Sequence, residues 1–114
     1  MKTIILVGWL CLLSLSRADY TGKFEDFDLD KVTSNREEMM KLINCFIGTE
    51  TCTQLYGDLK KVIKEQIDDD CVNCSQKQLT LFVKGIKYFK QNEPAYWKLM
   101  QEKMDPEGRM VRFY

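Results

Sequence analysis

Cysteine is the residue type here best placed for covalent or metal chemistry: the 114-residue chain carries five, Cys11, Cys45, Cys52, Cys71 and Cys74, and no histidine. Without imidazole there is no Ser-His or Cys-His pair, no side chain whose ordinary titration falls near neutrality, and no His ligand for zinc or haem. The usual hydrolase and metalloenzyme chemistries fall away. A Cys71-x-x-Cys74 dithiol at the start of a helix can in principle exchange disulfides. No strand-helix-strand pattern surrounds it, so it reads as a staple. Zinc held by four thiolates would need a better knuckle spacing than six and two intervening residues. The acidic run Asp68-Asp69-Asp70 lacks the alternate-position ligands and the bidentate Glu of a calcium loop. It reads as a solvated helix end whose like charges oppose the macrodipole. Seventeen Lys plus Arg balance 17 Asp plus Glu, which leaves no basic footprint for nucleic acid. No cofactor and no metal is called for.

The cysteines must be sorted by compartment. Met1 and Lys2 precede an apolar run, Ile4 to Leu15, and Ser16-Arg17-Ala18 supplies small residues where a signal peptidase reads. Residues 1–18 are therefore read as a secretory signal peptide, since a run of about a dozen apolar residues is short for a bilayer span and no stop-transfer cluster follows. The protein is expected to be extracellular, with no stable membrane insertion. Cleavage leaves one domain, residues 19–114, slightly acidic and with four cysteines in an oxidising compartment. Their spacing leaves three pairings open. Local pairs would each stabilise by about 2 kcal/mol, and a helix spanning roughly 20 Å between Cys52 and Cys71 makes long-range pairing awkward.

The elements that must position these cysteines follow from periodicity. Asp19 to Asp30 alternates aromatics with acids and reads as an extended arm leading into a short helical turn around Leu29 and Val32. Ser34 with Glu37 has the capping-box form, and Met39, Leu42, Ile43 and Phe46 recur at helical spacing up to Gly48. After Cys52, Leu55, Leu59, Val62, Ile63 and Ile67 hold one face, while Asp58, Lys60, Lys61, Lys64 and Glu65 hold the other. The lysines read as a wet face, with contacts for an acidic headgroup at a channel mouth as the alternative. Ser75 with Gln78 is a second capping box, followed by Leu79, Phe82, Val83 and Ile86, broadened by Leu81, Tyr88 and Phe89. A helix apolar on two sides is expected to be central. Pro94 suits the first position of a fifth segment that aligns Trp97, Met100 and Met104, and Asp105-Pro106-Glu107-Gly108 makes a turn. No period-two alternation supports strands. The class is all-α: a compact bundle of five to six short helices.

The spacing Cys45, six residues, Cys52, eighteen, Cys71, two, Cys74 resembles the insect chemosensory proteins. Flanking motifs stand in register with it: Tyr20-Thr21-x-Lys23-Phe24, Asp28-Leu29-Asp30, Leu59-Lys60-Lys61, Cys74-Ser75-x-Lys77-Gln78, Tyr88, Pro94, Trp97 and Asp105-Pro106-Glu107-Gly108. The resemblance spans essentially all of residues 19–114. It implies a secreted six-helix carrier, not an enzyme, with disulfides Cys45 to Cys52 and Cys71 to Cys74 and an apolar channel for small hydrophobic ligands such as long-chain semiochemicals, fatty acids or related lipids. Trp97 takes the place of the tryptophan that lies near the ligand in relatives. Leu42 stands where the family often has a Tyr beside the channel, Glu38 stands where relatives carry an apolar residue, and the chain stops at Tyr114, so its sixth helix reads as a single turn.

Residues for the channel wall come from every predicted helix. They are Leu29 and Leu42 with Phe46, then Leu59, Val62 and Ile63, and finally Phe82, Ile86 and Phe89 with Trp97 and Met100. At helical spacing the same residues would serve any helical core. Adaptable methionine side chains favour a channel. The second functional reading is an extracellular interaction or developmental factor with a solid core. The expected partner is a small hydrophobic ligand bound to a monomer, with any receptor unnamed.

Overall fold

Residues 20–114 are described by the computed structural model, and the leader read over residues 1–18 lies outside them. The chain from Tyr20 is not an extended arm: residues 21–26 run through successive turns, with Lys23 N–H donating to the Tyr20 carbonyl at 3.0 Å and Phe27 N–H to Phe24 at 3.1 Å. Five α-helices follow, α1 (Leu29–Thr33), α2 (Arg36–Ile47), α3 (Gln54–Asp68), α4 (Gln76–Asn92) and α5 (Pro94–Met104), and then a 3-10 turn, Val111–Phe113. No strand occurs among the described residues. The last helix of the expected six is thus a single turn.

Each start is set by a short polar side chain that satisfies an orphan N–H. Asp28 caps α1, Thr53 caps α3, and Ser75 with Gln78 forms the reciprocal box on α4. The start of α2 lies one residue later than Ser34 and Glu37 suggest. Ser34 closes α1, its N–H donating to Asp30 at 2.9 Å, and Asn35 accepts from Glu38 N–H at 3.2 Å. Gly48 ends α2 in the left-handed conformation, φ 83°, which glycine adopts at least cost. Pro94 opens α5, where its missing N–H costs nothing.

The hub is α2, which packs against α1, α3 and α5, while α4 lies on α5. The two-sided apolar helix α4 is therefore not central. It buries only Gln78, Ile86 and Phe89 fully, because its apolar inner wall faces the space described below rather than a packed neighbour. On α3 the buried face is rotated from the expected one: Leu55 is 53% exposed while Tyr56 and Gln66 are buried. Tertiary pairing decides this, since the Tyr56 hydroxyl reaches across to Glu38 Oε2 on α2 at 2.6 Å. The lysines of α3 are likewise more than a wet face. Lys60 Nζ donates to the Cys45 carbonyl at 3.0 Å and Lys64 Nζ to the Met104 carbonyl at 3.1 Å, placing cations at the carbonyl ends of α2 and α5.

Two disulfides close the connections, Cys45 to Cys52 with Cα atoms 4.7 Å apart and Cys71 to Cys74 with Cα atoms 5.0 Å apart. Between α3 and α4 the chain reverses through Asp70 and Cys71, both left-handed at φ 62° and 60°. The acidic run is not merely a solvated end. Asp69 accepts from Cys71 N–H at 3.0 Å and from the Tyr20 hydroxyl at 2.6 Å. Arg109 donates to the Asp68 carbonyl at 3.1 Å, and Arg112 pairs with Asp70 at 2.6 Å. Among the described residues no group of acids or cysteines could hold a metal, and no helix is long and apolar enough to cross a membrane.

Candidate functional site

Burial is densest at one side of the bundle. Ile43, Cys45 and Met110 are completely buried, with α2 supplying Met39, Leu42 and Phe46 beside them. The space beside Leu42, Phe46 and Met110 is not filled. A partly open cavity of about 140 Å³ lies between α1, α2, α3, α4, α5 and the chain after Met104, and its accessible wall is almost wholly apolar. For scale, a dry engineered cavity of about 150 Å³ lined by Leu, Ile and Phe holds benzene.

All eleven channel-wall residues named from the sequence border this one cavity: Leu29, Leu42, Phe46, Leu59, Val62, Ile63, Phe82, Ile86, Phe89, Trp97 and Met100. The helical stripes converge because each inner face looks at the same gap. Sequence reasoning missed a second set. Phe24 and Phe27 enter from the turns before α1, and Met110 and Tyr114 enter from the chain after α5. These lie outside any amphipathic helix of their own, so no 3.6-residue period flags them. Gln66, Gln78 and Asp105 also border the space, and their polarity hides them from an apolar pattern. Leu42 faces the cavity with no hydroxyl to offer, so the position expected to have lost a polar contact is apolar here.

Glu38, the other departure, leaves the apolar surface without a gap. It faces the Tyr56 hydroxyl and Lys41, 3.3 Å away, and those donors hold its carboxyl below the usual range. Burial, together with Glu38 as acceptor, pushes the Tyr56 phenol up to about 12.

One end of the cavity is closed by a polar clasp. Asp105 is 3% exposed. Its Oδ1 accepts from Arg109 N–H at 2.8 Å, and its Oδ2 accepts from Met110 N–H at 2.9 Å and from the Tyr114 hydroxyl. Burial alone would raise its carboxyl, but the Tyr114 hydroxyl, the two backbone donors and the Arg109 charge outweigh it and hold the group below its ordinary value. Burial first, and then the carboxylate partner, raises Tyr114 and likewise Tyr20, which donates to Asp69. Tyr114 also packs edge-on against Trp97, ring centroids 5.0 Å apart.

These groups fix a pH profile. The Asp105 contribution is present above the ordinary carboxyl value of about 3.9 and is lost as pH falls through its lower folded value. The contributions of Tyr20, Tyr56 and Tyr114 are present below the ordinary phenol value of about 10 and are lost as pH rises through their higher folded values. No histidine titrates between. Urea midpoints are expected to stay flat from about pH 5 to 9 and to fall on both sides. A steady slope across that interval contradicts the assignment.

A model of the insect pheromone-binding family, A10/OS-D, matches residues 20–112. Ejaculatory bulb-specific protein 3 of Drosophila melanogaster is 30% identical over 115 residues, covering 100% of this chain and 91% of that protein. The A10 protein of the same fly is 32% identical over 89 residues, 78% of this chain and 57% of its own length. A solved chemosensory protein in complex with bromo-dodecanol superposes with a TM-score of 0.72 at 25% identity, covering 82% of this chain and 93% of that one.

Proposed function

Because the chain belongs to the insect pheromone-binding family A10/OS-D, we propose that it is a secreted, monomeric carrier that takes up small chain-like hydrophobic molecules, semiochemicals, fatty acids or related lipids, from extracellular fluid. The observation that carries this reading is the apolar cavity into which wall residues from α1 to α5 converge. The solved relative that holds bromo-dodecanol supports a linear, twelve-carbon class of ligand.

Uptake works by partition. Each methylene moved from water into the apolar wall contributes about 0.8 kcal/mol, so a chain of moderate length is held without any bond to its backbone. Flexible Met100 and Met104 at the wall re-pack around different shapes. A carrier of this kind needs no acid, base or nucleophile, and the chain supplies no imidazole. Breadth among chain-like ligands follows from the same wall, which grips methylenes by area rather than by directed contacts.

Trp97 borders the cavity, so its emission is the natural reporter. Adding dodecan-1-ol to the protein is expected to quench or shift that emission with a saturable dependence, and Trp97→Phe is expected to remove the response. A flat titration across alcohols, fatty acids and esters of eight to sixteen carbons would sink the carrier reading and favour a solid-core interaction protein.

A further inference from the structure

Three polar residues are almost fully buried at the cavity: Gln66, Gln78 and Asp105, exposed by 4%, 3% and 3%. Two of them are occupied. The Gln78 amide donates to the Tyr20 carbonyl at 2.6 Å and the Lys23 carbonyl at 2.9 Å, and its Oε1 accepts from Ser75 N–H at 2.9 Å. Asp105 is taken up by its three donors.

Gln66 is different. Its main-chain carbonyl accepts from Cys71 N–H at 2.7 Å, which pins the last turn of α3, yet its side-chain amide makes no hydrogen bond among the described residues. No side-chain nitrogen or oxygen there is both sealed from open space and unpaired. The unpaired Gln66 amide therefore keeps accessible surface, and Gln66, almost fully buried, is one of the residues that line the cavity. A primary amide left unmatched in an apolar wall opposes folding. Apolar residues of the same length would fill the position more favourably.

We propose that Gln66 is the polar anchor of the cavity and that it selects chain-like ligands ending in a neutral oxygen group, primary alcohols above all. This rests on the carrier reading and adds the ligand's polar end to it. A hydroxyl accepts from the amide N–H and donates to the amide oxygen, so it uses both halves of the group. A carbonyl uses the donor half only, and an alkane uses neither. A fatty acid remains a ligand but ranks below the alcohol of the same chain, since its ionised end meets the Asp105 carboxylate on the same small cavity. Leu59, Ile63 and Gln66 follow one another up one face of α3, so a tail running from the anchor towards Leu59 has roughly 10 Å of apolar wall to lie on.

The test compares octan-1-ol with octane as displacers of the fluorescent probe N-phenyl-1-naphthylamine from the wild-type protein, Gln66→Leu and Gln66→Met. Both substitutions are expected to weaken octan-1-ol by about tenfold, the loss of one hydrogen-bonded pair, while octane binding stays unchanged or tightens. The thermal midpoint of the unliganded variants is expected to rise. Gln66→Met keeps the side-chain length and gives the answer if Gln66→Leu does not fold. An equal loss for both ligands, or no change for either, overturns the anchor and leaves the carrier reading intact. If the wild type releases the probe to neither ligand, the carrier reading fails and the anchor fails with it.

Discussion

Asp105→Ala is expected to lower the unfolding free energy at pH 7 by about 3 kcal/mol, since hydrogen bonds to a charged, buried acceptor are each worth about 1.5–3 kcal/mol and do not add in full. The carboxylate is what folds the end of the chain back. It accepts from Arg109 N–H, Met110 N–H and the Tyr114 hydroxyl, so its removal leaves two main-chain donors and a phenol without their acceptor. Met110 would lose the bond that holds it at 0% exposure, and Tyr114 would lose its seat against Trp97. Both residues form cavity wall, so dodecan-1-ol affinity should fall with stability. Asp105→Asn is expected to cost about half as much, because an amide keeps one acceptor oxygen. Urea unfolding, with near-ultraviolet dichroism to follow the Trp97–Tyr114 pair, is the measurement. An Ala variant within about 1 kcal/mol of wild type would show that the clasp contributes little.

Tyr20→Ala carries the other large effect. Tyr20 is 1% exposed and joins the first described turn to the α3–α4 connection. Its hydroxyl donates to Asp69 at 2.6 Å and accepts from Asn73 N–H at 3.2 Å, and its carbonyl accepts from Gln78 at 2.6 Å. Truncating a buried aromatic to Ala costs about 3–5 kcal/mol, which lowers the midpoint of a domain this size by on the order of 20 °C. Tyr20→Phe keeps the ring and isolates the hydroxyl, with an expected cost of about 2 kcal/mol. If Phe costs as much as Ala, the ring contributes nothing and the packing account is wrong. Calorimetry on the three proteins separates the two contributions.

The parts legible in the sequence are those with short-range causes. Ser75 and Gln78 form their box because both partners lie within one turn, and Gly48 stops α2 because only its own φ matters. The apolar stripes reach the cavity because any inward face of a small bundle looks at its centre. Where two local solutions compete, sequence alone misplaces the choice. Ser34 with Glu37 and Asn35 with Glu38 have the same spacing, and the decision falls to Asn35 because Ser34 is already engaged in closing α1. Tertiary partners turned α3 so that Tyr56, not Leu55, faces inward. Gln66, Gln78 and Asp105 were illegible for a related reason. A buried polar residue is explained by groups far away in the chain or by a ligand, and neither leaves a period in the sequence.

The two disulfides have a mechanical consequence. Their rings span sequence separations of only 7 and 3 and sit at the two ends of α3, one joining Cys45 of α2 to the α2–α3 connection and the other within the α3–α4 connection, so among the described residues no disulfide ties α4 or α5 to α2. The shell around the cavity is thus stitched at its corners and unsewn along its faces. Side-chain packing alone holds α5 on α2 and α4 on α5, so a shift of α4 to admit a longer guest would strain no disulfide. A carrier walled in this way is expected to match its capacity to the tail it takes up, because no disulfide fixes the distance between the cavity's facing helices.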